Sequence, residues 1–184
     1  PLFSCGKSVV NMEIKIESED PQKSAGEILC RGSNVMLGYY KNSETTAKVL
    51  SKDGWLRTGD VGVIDKEGFL YIKGRSKSMI LGPSGQNIYP EEIESIINNM
   101  PYVVESLVIE ERGVLTALIY PNLELVESDG LNASEFADKM EELRVVVNEE
   151  LPNYCKIQNV RVYPEEFEKT PKRSIKRYLY QISE

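Results

Sequence analysis

The texture of this chain changes after Gly74, from mostly short strands to a mixture of strands and amphipathic helices, and that change restricts the fold more than any other feature. Upstream, short runs alternate apolar and polar residues. MEIKIES (Met12 to Ser18) has the period of a strand, and GEILCRG (Gly26 to Gly32) is a second short strand closed by glycines. SETTAKVL (Ser43 to Leu50) reads as a short helix with Ser43 as N-cap and Glu44 in the first turn. VGVIDKEGFLYIKG predicts a hairpin turning at Lys66-Glu67-Gly68. Downstream, YPEEIESIINNM puts Pro90 at a helix start, with glutamates against the positive end of the helix dipole. Ile93, Ile96, Ile97 and Met100 share one face of that helix. VVESLVIE and VLTALIY are strands joined at Glu111-Arg112-Gly113, and NVRVY is a last strand. SEFADKMEELRVVVNEEL is a second amphipathic helix with Phe136, Met140, Leu143, Val147 and Leu151 on one side. The pattern predicts an α+β chain: a β-rich part over residues 1–73, then a small α+β domain over 74–184, with the boundary near Lys73 to Lys77.

The 184 residues suffice for one medium domain or two small ones, and 41% hydrophobic content supports a packed core. The net charge of -7 argues against general nucleic-acid binding, although a local basic patch can still hold one phosphate. Three cysteines, Cys5, Cys30 and Cys155, without a CxxC, suggest neither a disulfide framework nor a zinc site; a reduced cytoplasmic compartment fits. Histidine is absent, which removes histidine-based nucleophilic catalysis and histidine-ligated metal from this chain. No apolar run reaches membrane-spanning length, and peripheral membrane contact stays open. The chain opens on Pro1 rather than Met, which fits processing or a fragment of a longer protein.

Three stretches could carry chemistry. DGWLRTGD (Asp53 to Asp60) holds the only tryptophan. In the plain reading it is a turn before a strand, with Asp60 a turn residue; in the functional reading Asp60 is a carboxylate at a strand entrance, placed to accept two ribose hydroxyls. KGRSKSMI (Lys73 to Ile80) is either a charged linker, or a hinge in which Arg75 offers a planar donor fork to phosphate or ribose oxygens. GPSGQNIYP (Gly82 to Pro90) is rich in turn formers, and its glycines permit close approach of a narrow ligand.

Taken together, GEILCRGSNVMLGYYKNSETT, DGWLRTGD, GFLYIKGRSKSMI, GQNIYPEEIE and TPKRSIKR occur in the order and spacing of the adenylate-forming acyl-CoA synthetases. From Ser4 onward the chain resembles the last third of such an enzyme, most of all the long-chain fatty acid–CoA ligase branch. The resemblance implies two half-reactions, in which a fatty acid attacks the α-phosphate of MgATP and CoA thiol then attacks the acyl-adenylate. A C-terminal domain rotates about a hinge between the two. Residue by residue, it implies that Asp60 binds the ribose hydroxyls and that Arg75 contacts the nucleotide. It places Lys77 at the hinge and the loop around Gly85 beside the pantetheine tunnel.

The same resemblance bears on the basic run EKTPKRSIKR (Glu168 to Arg177). In the family, a lysine of this segment reaches the reacting carboxylate and the α-phosphate. Ser174 stands at that position here, flanked by Lys172, Arg173 and Lys176, so one of these lysines is a candidate substitute. The phosphate loop, the glutamate that holds Mg²⁺ and the acyl pocket are expected upstream, so the chain alone is expected to be inactive and no metal ligand is assigned. The rival reading is a non-catalytic nucleotide- or partner-binding module built from the same parts. A nucleic-acid-binding module is the remotest option, since no motif of that kind is present.

Overall fold

The computed structural model describes residues 4–181, so Pro1 lies outside the described residues. The chain divides into two compact units, Pro1–Lys77 and Ser78–Glu184. The division falls after Lys77 rather than after Lys73, because the last strand of the first unit continues through Arg75 and pairs Gly74 with Val61 and Arg75 with Asp60.

The first unit is an antiparallel sheet in the order β1 (Met12–Glu17), β2 (Gly26–Gly32), β3 (Leu56–Ile64), β4 (Leu70–Arg75). Its core is thin. Ile16 and Ile28 are buried on one face; Leu29 and Val61 are buried on the other, which also carries the ion pairs Arg31–Glu13 and Arg57–Glu17 across the strands. Helix α1 (Ser43–Val49) is capped by Asn42, whose side chain accepts the Thr45 amide. The expected cap, Ser43, is instead the first helical residue. An Asn caps as well as a Ser, and its backbone has non-helical angles (φ −137°, ψ 74°).

The second unit begins with a hairpin of two-residue strands, β5 (Ile80–Leu81) and β6 (Asn87–Ile88), whose turn and second strand lie in GPSGQNIYP, the stretch rich in turn formers. Helix α2 (Pro90–Ile97) follows, with Pro90 at its start as expected. A second sheet joins β7 (Val103–Glu111) and β8 (Val114–Pro121) antiparallel, and β8 and β9 (Asn159–Val162) parallel. Between them lie α3 (Leu123–Ser128), a six-residue helix that the periodicity does not reveal, and α4 (Ala133–Glu150). Asn132 and Glu135 form a reciprocal capping box at the start of α4.

Both faces of this sheet are covered, which explains the unbroken apolar runs in β7 and β8. Val108, Ala117 and Ile119 face a cluster containing Ile93 and Ile97 of α2 and Met140, Leu143 and Val147 of α4. Leu107, Ile109 and Leu118 face the opposite way and pack under Phe167 of the C-terminal segment. The chain is α+β, as its periodicity predicts. Among the described residues, no helix is long and apolar enough to cross a membrane.

Candidate functional site

Asp60 lies inside β3, not in a turn. Its strand neighbour across the hairpin is Arg75 on β4, and Arg75 Nε approaches Asp60 Oδ1 to 2.9 Å. The surrounding backbone is fixed by polar contacts. The Thr58 hydroxyl donates to the Ile28 carbonyl and accepts the Asp60 amide, while the amide and hydroxyl of Ser76 both donate to the Gly59 carbonyl. Gly59 has φ +76°, a conformation that favours glycine, and turns the chain just before Asp60. A bulge follows, since the register shifts between Val61 and Gly62. The pair remains open to solvent, with 60% of the Arg75 side chain and 30% of that of Asp60 exposed. A carboxylate and a guanidinium fork held on facing strands can together bind a hydroxylated, anionic ligand.

Trp55 serves the sheet surface. Lys15 and Arg31 lie over its ring at 4.1 and 4.6 Å. Lys77 sits in the turn that ends the first unit.

The remaining expected site residues belong to the second unit. Gly85 is at the exposed tip of the β5–β6 hairpin, with φ +80° and no atom within 4 Å of where a Cβ would stand. Backbone conformation, not crowding by the protein, demands glycine there. That hairpin borders a hollow of about 230 Å³ whose opposite wall includes Tyr154, Lys156 and Gln158.

The basic segment forms a second small hairpin. Lys169 and Ile175 pair, and Thr170 O accepts the Arg173 amide at 2.8 Å. Lys172, Arg173 and Ser174 occupy the exposed turn. The five basic residues are not equivalent. Lys169 is paired with Glu105 and Glu166, and Lys176 with Glu168 at 3.0 Å. These carboxylates hold the Lys169 and Lys176 ammonium groups above their ordinary titration range.

Arg177 turns inward. Its guanidinium meets Glu94 of α2 and lies 3.5 Å from Glu91, while Glu94 Oε1 accepts the Val108 amide at 2.7 Å. Burial pushes the Glu94 carboxyl upward, against the pull of Arg177 and of the Val108 amide. The sequence shows Arg177 as part of the basic run and gives it no partner; the structure pairs it with Glu94. The signal available was a glutamate on the apolar side of α2, one position from Ile93. Among the described residues, no group of three or more His, Cys, Asp or Glu is placed to hold a metal ion.

The family profile described as the AMP-binding enzyme C-terminal domain matches residues 77–181. Over 159 residues the chain is 36% identical to probable acyl-activating enzyme 10 of Arabidopsis thaliana, covering 85% of this chain and 28% of that protein. It is 40% identical over 127 residues to indoleacetate–CoA ligase of Aromatoleum aromaticum, covering 64% of this chain and 24% of that protein. Among solved structures, O-succinylbenzoate coenzyme A synthetase from Bacillus subtilis in complex with AMP superimposes with a TM-score of 0.76 at 30% identity, covering 97% of this chain and 35% of that one. The chain thus spans about a third or less of the length of these relatives. It belongs to the AMP-binding acyl-CoA ligase family and carries the family's C-terminal domain.

Proposed function

We propose that the chain is the C-terminal part of an ATP-dependent, AMP-forming acyl-CoA ligase and that Asp60 and Arg75 hold the nucleotide. In this reading an oxygen of the substrate carboxylate attacks the α-phosphorus of ATP, the bond to the β-phosphate bridging oxygen breaks, and pyrophosphate leaves. The thiol of CoA then attacks the acyl carbon, AMP leaves, and the thiol proton passes to solvent. Asp60 accepts the ribose hydroxyls, and Arg75 orients its carboxylate while facing the nucleotide. Mg²⁺ would be held by residues outside this chain and would supply neutralisation of phosphate charge. Lys77 is the hinge between the two half-reactions, at the junction of the two units, and the Gly85 loop faces the pantetheine arm.

Lys172 takes the place of the family lysine in this proposal. Lys176 is held by Glu168, whereas Lys172 is exposed two positions from Ser174. The acid activated is a long-chain fatty acid, a reading that rests on the sequence motifs, and the enzyme is cytoplasmic, a reading that rests on the cysteine pattern; two of the relatives above, the indoleacetate and O-succinylbenzoate enzymes, carry other acids in their names. The observation that supports the nucleotide site is the solvent-facing Asp60–Arg75 pair.

The test is Asp60→Ala in the full-length ligase. Losing charge-assisted bonds to hydroxyls, about 1.5–3 kcal/mol, weakens ATP binding tenfold to a hundredfold. Unchanged ATP affinity with lowered thermal stability would overturn the assignment. A non-catalytic nucleotide-binding module is the second reading, favoured by Ser174 at the lysine position. If the ligase binds ATP but forms no acyl-adenylate, and Ser174→Lys restores that step, the second reading holds.

A further inference from the structure

Four turns among the described residues share one hydrogen-bond pattern: Ser51–Trp55, Asp65–Phe69, Gly82–Gln86 and Thr170–Ser174. In each, the first amide donates to the fifth carbonyl, and the fourth amide donates back to the first carbonyl. The fourth residue is left-handed in all of them. Three of these positions are glycines, at φ +80° to +85°; the fourth is Arg173, at φ +61°. An L-residue disfavours that conformation, and such backbone persists only where its surroundings dictate it. The turn bearing Ser174 therefore depends on anchors outside itself.

Two contacts hold the ends of this hairpin. Lys176 N donates to Glu168 O at 2.8 Å, tying its legs together. The next residue, Arg177, enters the body of the unit, meets Glu94 on α2 and reaches toward the Val108 carbonyl on β7. Glu94 is itself 7% exposed and accepts the Val108 amide, so the carboxylate cannot follow the arginine if the hairpin shifts. A planar fork between two fixed partners sets orientation as well as distance.

We infer that Arg177 and Glu94 are positioning residues for the adenylation half-reaction: they fix the strained Thr170–Ser174 turn, and with it Lys172, in the orientation that step needs. The inference rests on reading this turn as nucleotide-facing. Neither residue touches substrate; both act through the turn. Thioester formation makes no demand on the turn and tolerates its displacement.

The experiment has two arms. In the 184-residue chain, hydrogen exchange of the Thr170, Arg173 and Lys176 amides is compared between wild type and Arg177→Met, with Arg177→Lys as a second variant that keeps the charge but loses the fork. Exchange at the turn is expected to rise tenfold or more, while β7 and β8 amides, though faster than in the wild type, still exchange more slowly than the turn. In the full-length ligase, Arg177→Met and Glu94→Gln are expected to slow acyl-adenylate formation tenfold or more and to leave thioester formation from supplied acyl-adenylate within twofold. Unchanged exchange at the turn in both arginine variants overturns the inference. So does an equal loss in both half-reactions, the mark of a merely structural pair. If the wild-type ligase forms no acyl-adenylate, the proposed function fails, while the exchange result still decides the anchoring.

Discussion

Each unit of this chain contains an arginine–carboxylate pair joining neighbouring elements, and the two pairs sit in opposite surroundings. Asp60 and Arg75 are strand partners within one hairpin and stay exposed, at 30% and 60%. Glu94 and Arg177 are 83 residues apart in sequence; Glu94 is buried and Arg177 largely enclosed, with 10% and 20% of their side chains exposed. In water-like surroundings, an ion pair contributes about 0–1 kcal/mol, so the exposed pair is a poor staple and a free pair of ligands. In a desolvated site, removing one partner strands the other charge, so the buried pair is a poor ligand site and a firm anchor. The same chemistry serves recognition in one place and positioning in the other, and exposure decides which.

The sharpest break of this comparison is by truncation. Arg177→Met or Glu94→Ala is expected to destabilise the second unit by about 3–5 kcal/mol, against about 0–1 kcal/mol for Arg75→Met in the first. Urea denaturation of the three variants measures both. The double variant Glu94→Leu with Arg177→Met removes both charges and is expected to recover much of the loss. A similar cost for Arg75→Met and Arg177→Met would mean that exposure does not separate the pairs.

A smaller effect tests how the exposed pair is held. Gly59→Ala places a Cβ at φ +76°, with Arg75 Nη1 at an ordinary 3.6 Å, so conformation and not crowding sets the cost. The expected loss is about 1–2 kcal/mol in thermal or urea unfolding, with ATP affinity lowered if Asp60 shifts. Neutral behaviour in both would show that the backbone there is slack.

The smallest effect separates the units by pH. Hydrogen bonds from Arg57 hold the exposed Glu17 carboxyl below its ordinary value of 4.5, so its contribution is present above that value and lost as pH falls further. Burial raises Glu94 above 4.5, so its contribution is full below that value and declines as pH rises through the folded-state value. Glu17→Gln should therefore flatten the stability profile below 4.5, and Glu94→Gln should flatten it above. Identical profiles for the two variants would contradict these opposite environments.

Much of the secondary structure was legible because burial patterns repeat at fixed periods. The strands at Met12 and Gly26, the hairpin after Val61, the helix opening at Pro90 and the apolar face ending at Leu151 all follow from local spacing. Helix α3 and the β5–β6 hairpin were not legible. Six residues and two-residue strands are too short to show a period. The cap of α1 was misplaced by one residue because Asn42 and Ser43 are both good caps, and only the backbone angles at Asn42 distinguish them.

By itself, the sequence determined the α+β class, the order of the elements and the identity of the residues at each motif, since these depend on local composition and spacing. Tertiary structure alone decided which charges meet. Strand register placed Asp60 against Arg75, and the packing of the C-terminal segment on α2 and β7 placed Arg177 against Glu94. It also decided that Lys176 is paired while Lys172 remains exposed. The physical reason is that the worth and role of a charge depend on its distance from other charges and from water, and neither is a property of position along the chain.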